Sequence, residues 1–272
     1  MESSFEEFIE TFIGKELPIS MVEPNKTLVE IFVEVEDRPG VIEKLSSVLR
    51  RNRINILVIH GFVKDGKGYI LTFADISHSN IDYENLKKAI EREVTNSKVK
   101  VWKSKVEGLV YDVLTYPPMI SGEPVVILKY STIANILDNI LVRFKDAGLI
   151  LLYYLGLDSG ISYANWILNL LRPFGIEGLK EKFIIGLSIV RSLGLLLAIV
   201  EFVNDKNVKV IVPSSIETEI AKFVKYSKGC NFIKGFLEGY AKTMFNREIN
   251  VKEVKCKKRG EKHCEFHIEV KG

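Results

Sequence analysis

The stretch "LVEIFVEVEDRPGVIEKL", residues 28–45, changes its period halfway along. Up to Glu36 apolar residues alternate with others, as on a strand with one buried face. From Val41 they recur at helical spacing, through Leu45 to Val48 and Leu49. The break is Pro39-Gly40, which ends the strand and starts the helix. Downstream, "INILVIHGFVKDGKGYILTFADI" (54–76) reads as two strands joined by a hairpin turn at "KDGKG". "NIDYENLKKAIEREV" (80–94) is a second helix entered through "SHSN", and "VKVWKS" (99–104) is a closing strand. The order βαββαβ predicts a ferredoxin-like split unit.

With "VEDRPGVIEKL" and "INI" in those places, residues 27–104 resemble an ACT domain, the small-molecule-sensing module of amino-acid-regulated enzymes and regulators. The turn at Pro39-Gly40 leaves free backbone N–H groups at a helix N-terminus, which suit a carboxylate. The resemblance implies ligand contacts at Asp37 and Asn55, beside Gly40 and Val41. Asp37 departs from the Asn of serine-binding members. It repels a carboxylate and pairs instead with an ammonium group; as an N-cap it is also ordinary helix chemistry.

The chain has 272 residues, enough for two domains, and 47% of them are hydrophobic and 27% charged. A net charge of +3 gives no electrostatic case for nucleic acid, so direct nucleic-acid binding is not expected. The basic tip "KCKKRGEKH" (255–263) reads as a solvated hairpin. The apolar run "LGLLLAIVEFV" (193–203) is too short to span a bilayer, and "MESSFEEF" at the start is acidic where a signal peptide is basic. The expected compartment is the cytoplasm, where structural disulfides are unusual. Within residues 1–26, Phe5, Phe8, Ile9, Phe12 and Ile13 share one helical face, predicting an amphipathic helix that docks on its own body or a partner subunit.

Residues 105–123 form a connecting strand and linker, with a boundary near Pro117, and 124–272 a mixed α/β layer domain. There "PVVILKY" opens as a short strand before a helix with Ile133, Ile136, Leu137, Ile140 and Leu141 inward. "LILLYYLGLDSG" (149–160) reads as a buried strand. "ISYANWILNLL" and "GLKEKFIIGLSIVRSLG" are helices, "LLLAIVEFVND" and "NVKVIVP" a hairpin, and 219–245 holds at least one helix.

Two strands end the chain, around "VKCKKRGEKHCEF" (254–266). A hairpin centred on Gly260 sets Cys256 opposite Cys264, close enough to share an ion, with Cys230 arriving from a helix. A tetrahedral site needs a fourth ligand, and Glu253, His263 and His267 are the candidates. A regular strand puts all three on the face away from the cysteines, and a bulge at Glu253 would turn it round. Three buried cysteines acting as small hydrophobes are the alternative.

Gly229-Cys230, Gly235, Gly239-Tyr240, Glu253-x-x-Cys256, Gly260 and Cys264-x-Phe266 resemble the C-terminal signature of the 4-vinyl reductase domain. That family includes hydrocarbon-binding regulators and the sensor domains of phenol-responsive activators. The resemblance, over roughly 124–272, implies a structural Zn2+ held by Cys230, Glu253, Cys256 and Cys264. It also implies an apolar pocket lined by residues such as Trp166, Phe183, Leu187 and Tyr240. The Trp and His that fix phenol in those sensors have no match here, so the expected ligand is more purely hydrophobic.

No dinucleotide, phosphate-binding or nucleophile-elbow motif is present, and His60, His78, His263 and His267 are scattered. The expected protein is therefore a non-enzymatic ligand sensor, homodimeric through its ACT half. It binds a small hydrophobic molecule, with an amino acid as candidate second ligand and an effector protein as output. The alternatives are an accessory carrier for an aromatic or tetrapyrrole vinyl substrate, and a protein-interaction scaffold or transcription regulator without its own ligand.

Overall fold

A computed structural model describes residues 14–221 and 229–271. The amphipathic segment expected at 5–13 lies outside them. The chain divides into two compact units, 1–126 and 127–272.

The first unit runs β1 (Ser20–Val22), β2 (Leu28–Glu36), α1 (Val41–Arg51), β3 (Asn55–Lys64), β4 (Lys67–Asp75), α2 (Tyr83–Glu93), β5 (Lys98–Lys103), β6 (Leu109–Tyr111), β7 (Met119–Ile120) and β8 (Glu123–Pro124). β3-β4-β2-β5 form one antiparallel sheet, the pattern of the split βαββαβ unit. The β3–β4 turn places Asp65 at φ 50 and Gly66 at φ 74, two left-handed residues matched to strand twist. α1 and α2 cover one sheet face, burying Val29, Ile31, Val33, Leu45, Leu49, Leu86 and Ile90. Asp82 starts α2 by accepting the Asn85 N–H at 2.8 Å.

The opposite face is not left to water, as the alternation of β2 alone would suggest. β1 and β6 pair with each other, and Met21 and Val110 pack with Leu28, Phe73 and Trp102. Glu30 ends up fully buried there. Its Oε2 accepts the Val113 N–H at 3.1 Å, while Oε1 accepts no hydrogen bond among the described residues. Burial, then Asp112 beside it, pushes the Glu30 carboxyl up to about 8.

The second unit runs α3 (Tyr130–Phe144), α4 (Asp146–Leu171), a 3₁₀ turn at Arg172–Phe174, α5 (Leu179–Ser192), β9 (Leu196–Phe202), β10 (Asn207–Ser215), α6 (Ile216–Ile220), α7 (Asn231–Phe245), β11 (Ile249–Lys255) and β12 (Cys264–Val270). Its antiparallel sheet has the order β11-β12-β10-β9. The buried side of that sheet meets α4, α5 and α7 in one core that includes Ile167, Phe183, Val210, Phe236, Tyr240 and Phe266.

Two expectations fail here. "PVVILKY" makes only the two-residue strand β8 before α3, and of α3 only Ala134 is fully buried, with Ile136 49% exposed. "LILLYYLGLDSG" is not a strand but the middle of the 26-residue α4. The reason lies in its small residues. Gly148, Gly156, Gly160 and Ala164 recur every four or eight positions and form one buried stripe. A Cβ on Gly156 would stand 2.0 Å from the Phe232 carbonyl oxygen, and one on Gly160 2.1 Å from that of Phe236. In return, a Cβ on Gly235 or Gly239 would stand 2.0 or 2.1 Å from the Tyr153 or Leu157 oxygen. α4 and α7 therefore touch backbone to backbone. A run apolar on all sides lacks the single apolar face by which a sequence announces a helix.

Candidate metal centre

Three chain segments converge at the N-terminal end of α7. Cys230 is its N-cap residue, Cys256 follows β11, and Cys264 opens β12. All three thiols are buried and unpaired as disulfides. The Cys230 sulfur lies 3.9 Å from that of Cys256 and 3.7 Å from that of Cys264. Glu253 completes the group, and the four donor atoms all lie within 4.8 Å of one another.

The fourth donor is settled by a bulge. Glu253 pairs with Phe266 and Lys255 with Glu265, so Val254 is an extra residue and the register shifts. The shift returns Cys256 to the face that Glu253 already occupies, although the two are an odd number of residues apart. His263 and His267 turn to Glu265 on the other face, with nitrogens 3.8 and 2.8 Å from its carboxylate. The loop between the strands is a 3₁₀ turn closed at Gly260, whose φ of 95 requires glycine.

The electrostatics are those of a cation site. The Cys256 thiol is pulled down to about 5, first by its hydrogen bond with Cys230. The Cys230 thiol is pushed far up by those same sulfur contacts and by burial. One thiolate is thus accommodated, and three would need a positive ion among them. Burial pushes the Glu253 carboxyl up to about 7, opposed by Arg259 and by the Cys230 N–H, which it accepts at 3.1 Å. The Lys257 N–H donates to the Cys264 sulfur at 3.3 Å.

Sequence reasoning missed the surroundings. The basic tip is not simply solvated: Lys257 donates to the Pro213 carbonyl at 3.1 Å, Lys258 to that of Gly229 at 2.7 Å, and Arg259 to Glu253 at 2.9 Å. Glu217, in the first turn of α6, is fully buried and accepts the Ile233 N–H at 2.9 Å, which holds the start of α7. Burial pushes its carboxyl up to about 7. Nothing in the local sequence marks Glu217 as buried.

Trp166, Phe183, Leu187 and Tyr240 share the core of this unit. Phe183 meets Tyr240 edge-on at 5.1 Å and stacks on Phe245 at 5.2 Å, and the Tyr240 hydroxyl donates to the Phe183 carbonyl at 3.1 Å. In the first unit Gly40 caps α1 at φ 87 with no side-chain cap, Val41 is buried, and Asp37 and Asn55 are exposed, Asn55 opening β3.

Residues 29–94 match the model of the ACT domain, and residues 225–270 that of the 4-vinyl reductase domain. The chain is an ACT domain followed by a 4-vinyl reductase domain. The ACT match and the sheet order β3-β4-β2-β5 agree, and the 4-vinyl reductase match contains all four donors of the metal centre. Over 57 residues the chain is 35% identical to the UPF0237 protein MJ1558 of Methanocaldococcus jannaschii, 21% of this chain. It spans 63% of the length of that relative. The phenol-responsive sensory domain of the transcription activator PoxR shares the fold, with a TM-score of 0.50 at 12% identity over 86% of this chain and 92% of that one. A trafficking protein particle complex subunit 3 from Naegleria fowleri matches at TM-score 0.41 and 14% identity, over 53% of this chain and 95% of its own. No helix among the described residues is long and apolar enough to cross a membrane.

Proposed function

We propose that the protein is a non-enzymatic ligand-sensing regulator whose 4-vinyl reductase domain holds a structural zinc ion and a small hydrophobic molecule. The cluster of Cys230, Glu253, Cys256 and Cys264 carries the reading. Thiolates bound tetrahedrally to zinc at about 2.3 Å lie about 3.8 Å apart, and the sulfur separations of 3.9 and 3.7 Å meet that spacing. Four protein donors leave no position for water or substrate, so the ion's chemistry is structural: it ties the start of α7 to the terminal hairpin.

The sensing half of the proposal rests on the fold shared with a domain described as phenol-responsive. The ligand site is assigned to the region of Trp166, Phe183, Leu187 and Tyr240, where binding is driven by burial at about 25 cal/mol per Å². The ACT domain is assigned the dimer contact, an amino-acid site at Asp37, Gly40, Val41 and Asn55, and the output to an effector protein. One observation favours the scaffold reading instead: Phe183, Tyr240 and Phe245 pack against one another in the core.

Native mass spectrometry against the denatured mass tests these together. The expected result is one zinc per chain, a retained apolar molecule and two subunits. Apolar compounds should raise the melting temperature, and Leu187→Trp should abolish the gain by filling the site. If no apolar compound raises it and none is retained, the protein is a scaffold.

A further inference from the structure

The basic tip of the terminal hairpin has no place in the ligand-sensing reading, yet all three of its cations bond to the protein's own chain. We infer that Arg259 is a positioning residue of the metal centre, which orients the Glu253 carboxylate and balances its charge. The inference rests on the zinc reading above.

The geometry is specific. Glu253 uses both carboxylate oxygens: Oε1 accepts the Cys230 N–H at 3.1 Å and Oε2 accepts from the Arg259 guanidinium at 2.9 Å. Two fixed donors on opposite oxygens leave the carboxylate little freedom to rotate. The Glu253 side chain is 12% exposed, whereas that of Arg259 is 52% exposed. Arg259 therefore reaches in from the surface to a carboxylate that is mostly withdrawn from water. The loop holds it there: the Arg259 N–H donates to the Cys256 carbonyl at 2.9 Å, closing the 3₁₀ turn that begins at a metal-binding cysteine.

Charge gives Arg259 its second task. Three thiolates and a carboxylate around a divalent cation leave two negative charges in a buried place, where an unbalanced charge is costly. Arg259 bonds to the carboxylate, and Lys258 to the Gly229 carbonyl next to Cys230. Partners that orient and neutralise metal-binding carboxylates typically change metal affinity by about 10–100-fold when removed. The tip is thus the counter-charge of the centre, which also accounts for a basic cluster in a chain whose net charge is only +3.

The test measures zinc affinity of the full-length protein by competition with a chromophoric chelator, for wild type, Arg259→Gln, Arg259→Lys, Glu253→Gln and the Arg259→Gln/Glu253→Gln double variant. Arg259→Gln should weaken zinc binding about 10–100-fold. Arg259→Lys, which keeps the charge, should recover part of the loss. In the Glu253→Gln background the second change should have almost no effect, because the group it acts through is gone. The urea midpoint of the metal-free protein should be nearly unchanged by Arg259→Gln, separating positioning from general stabilisation. Equal affinity for wild type and Arg259→Gln overturns the inference, as does the same fold loss in the Glu253→Gln background. A wild-type protein that takes up no zinc overturns the zinc reading and this inference with it.

Discussion

Replacing Glu30 by Gln should stabilise the ACT domain and remove most of its pH dependence above neutrality. Glu30 is fully buried beside Asp112, and its carboxyl is pushed up to about 8 from an ordinary 4.5. An acid whose folded pKa is raised binds its proton more tightly in the folded state. The stability it contributes is complete below about 4.5 and is lost as pH rises through about 8. The difference of about 3.5 pH units, at about 1.4 kcal/mol each, sets an upper bound near 5 kcal/mol, and a value good to a unit makes this about 3–5 kcal/mol. Gln keeps an oxygen for the Val113 N–H and offers an amide N–H to Asp112 where the shared proton was. The assay is urea unfolding at pH 5.5 and 8.5 in a Trp166→Phe background, where Trp102 of the first unit is the remaining tryptophan. The parent should lose a few kcal/mol between those pH values and Glu30→Gln much less. Equal slopes in the two proteins would show that Glu30 does not carry the proton.

Cys256→Ser and Cys264→Ser should each lower zinc content below one per chain by atomic absorption and lower the melting temperature of the 4-vinyl reductase domain, since metal binding free energy there is folding free energy. Stoichiometric zinc in the double variant would refute the assignment. Gly235→Ala should destabilise by about 1–3 kcal/mol, because its Cβ would stand 2.0 Å from the Tyr153 oxygen and the helices must part, as chemical denaturation followed by Trp166 fluorescence would report. Gly66→Ala, at φ 74 in an open turn, should cost about 1 kcal/mol through backbone strain alone in the same measurement followed through Trp102.

The ACT fold was legible because each of its elements carries its own signal: alternation in 28–36, helical spacing from Val41, and Asp65-Gly66 between two strands. The burial of Glu30 was not, because it depends on β1 and β6, two three-residue strands far apart in sequence. In the 4-vinyl reductase domain the sulfur cluster was legible from the symmetry of Cys256 and Cys264 about Gly260. The choice among Glu253, His263 and His267 was not, since it turns on one bulge residue, Val254. Nor was α4, whose burial pattern is set by glycines, which add nothing to an apolar face but decide how near another helix can come.

That nearness has a mechanical consequence. Where two helices meet through side chains, each can yield by rotamer changes, and a push at one place dies out nearby. α4 and α7 have no such cushion at Gly156, Gly160, Gly235 and Gly239. α7 carries Cys230 at its first end and Tyr240 about 15 Å further along its axis, with Phe183 resting on that ring. It is a stiff rod seated in a rigid groove. A displacement at Tyr240 can only be passed along the rod, and its far end is a ligand of the proposed ion.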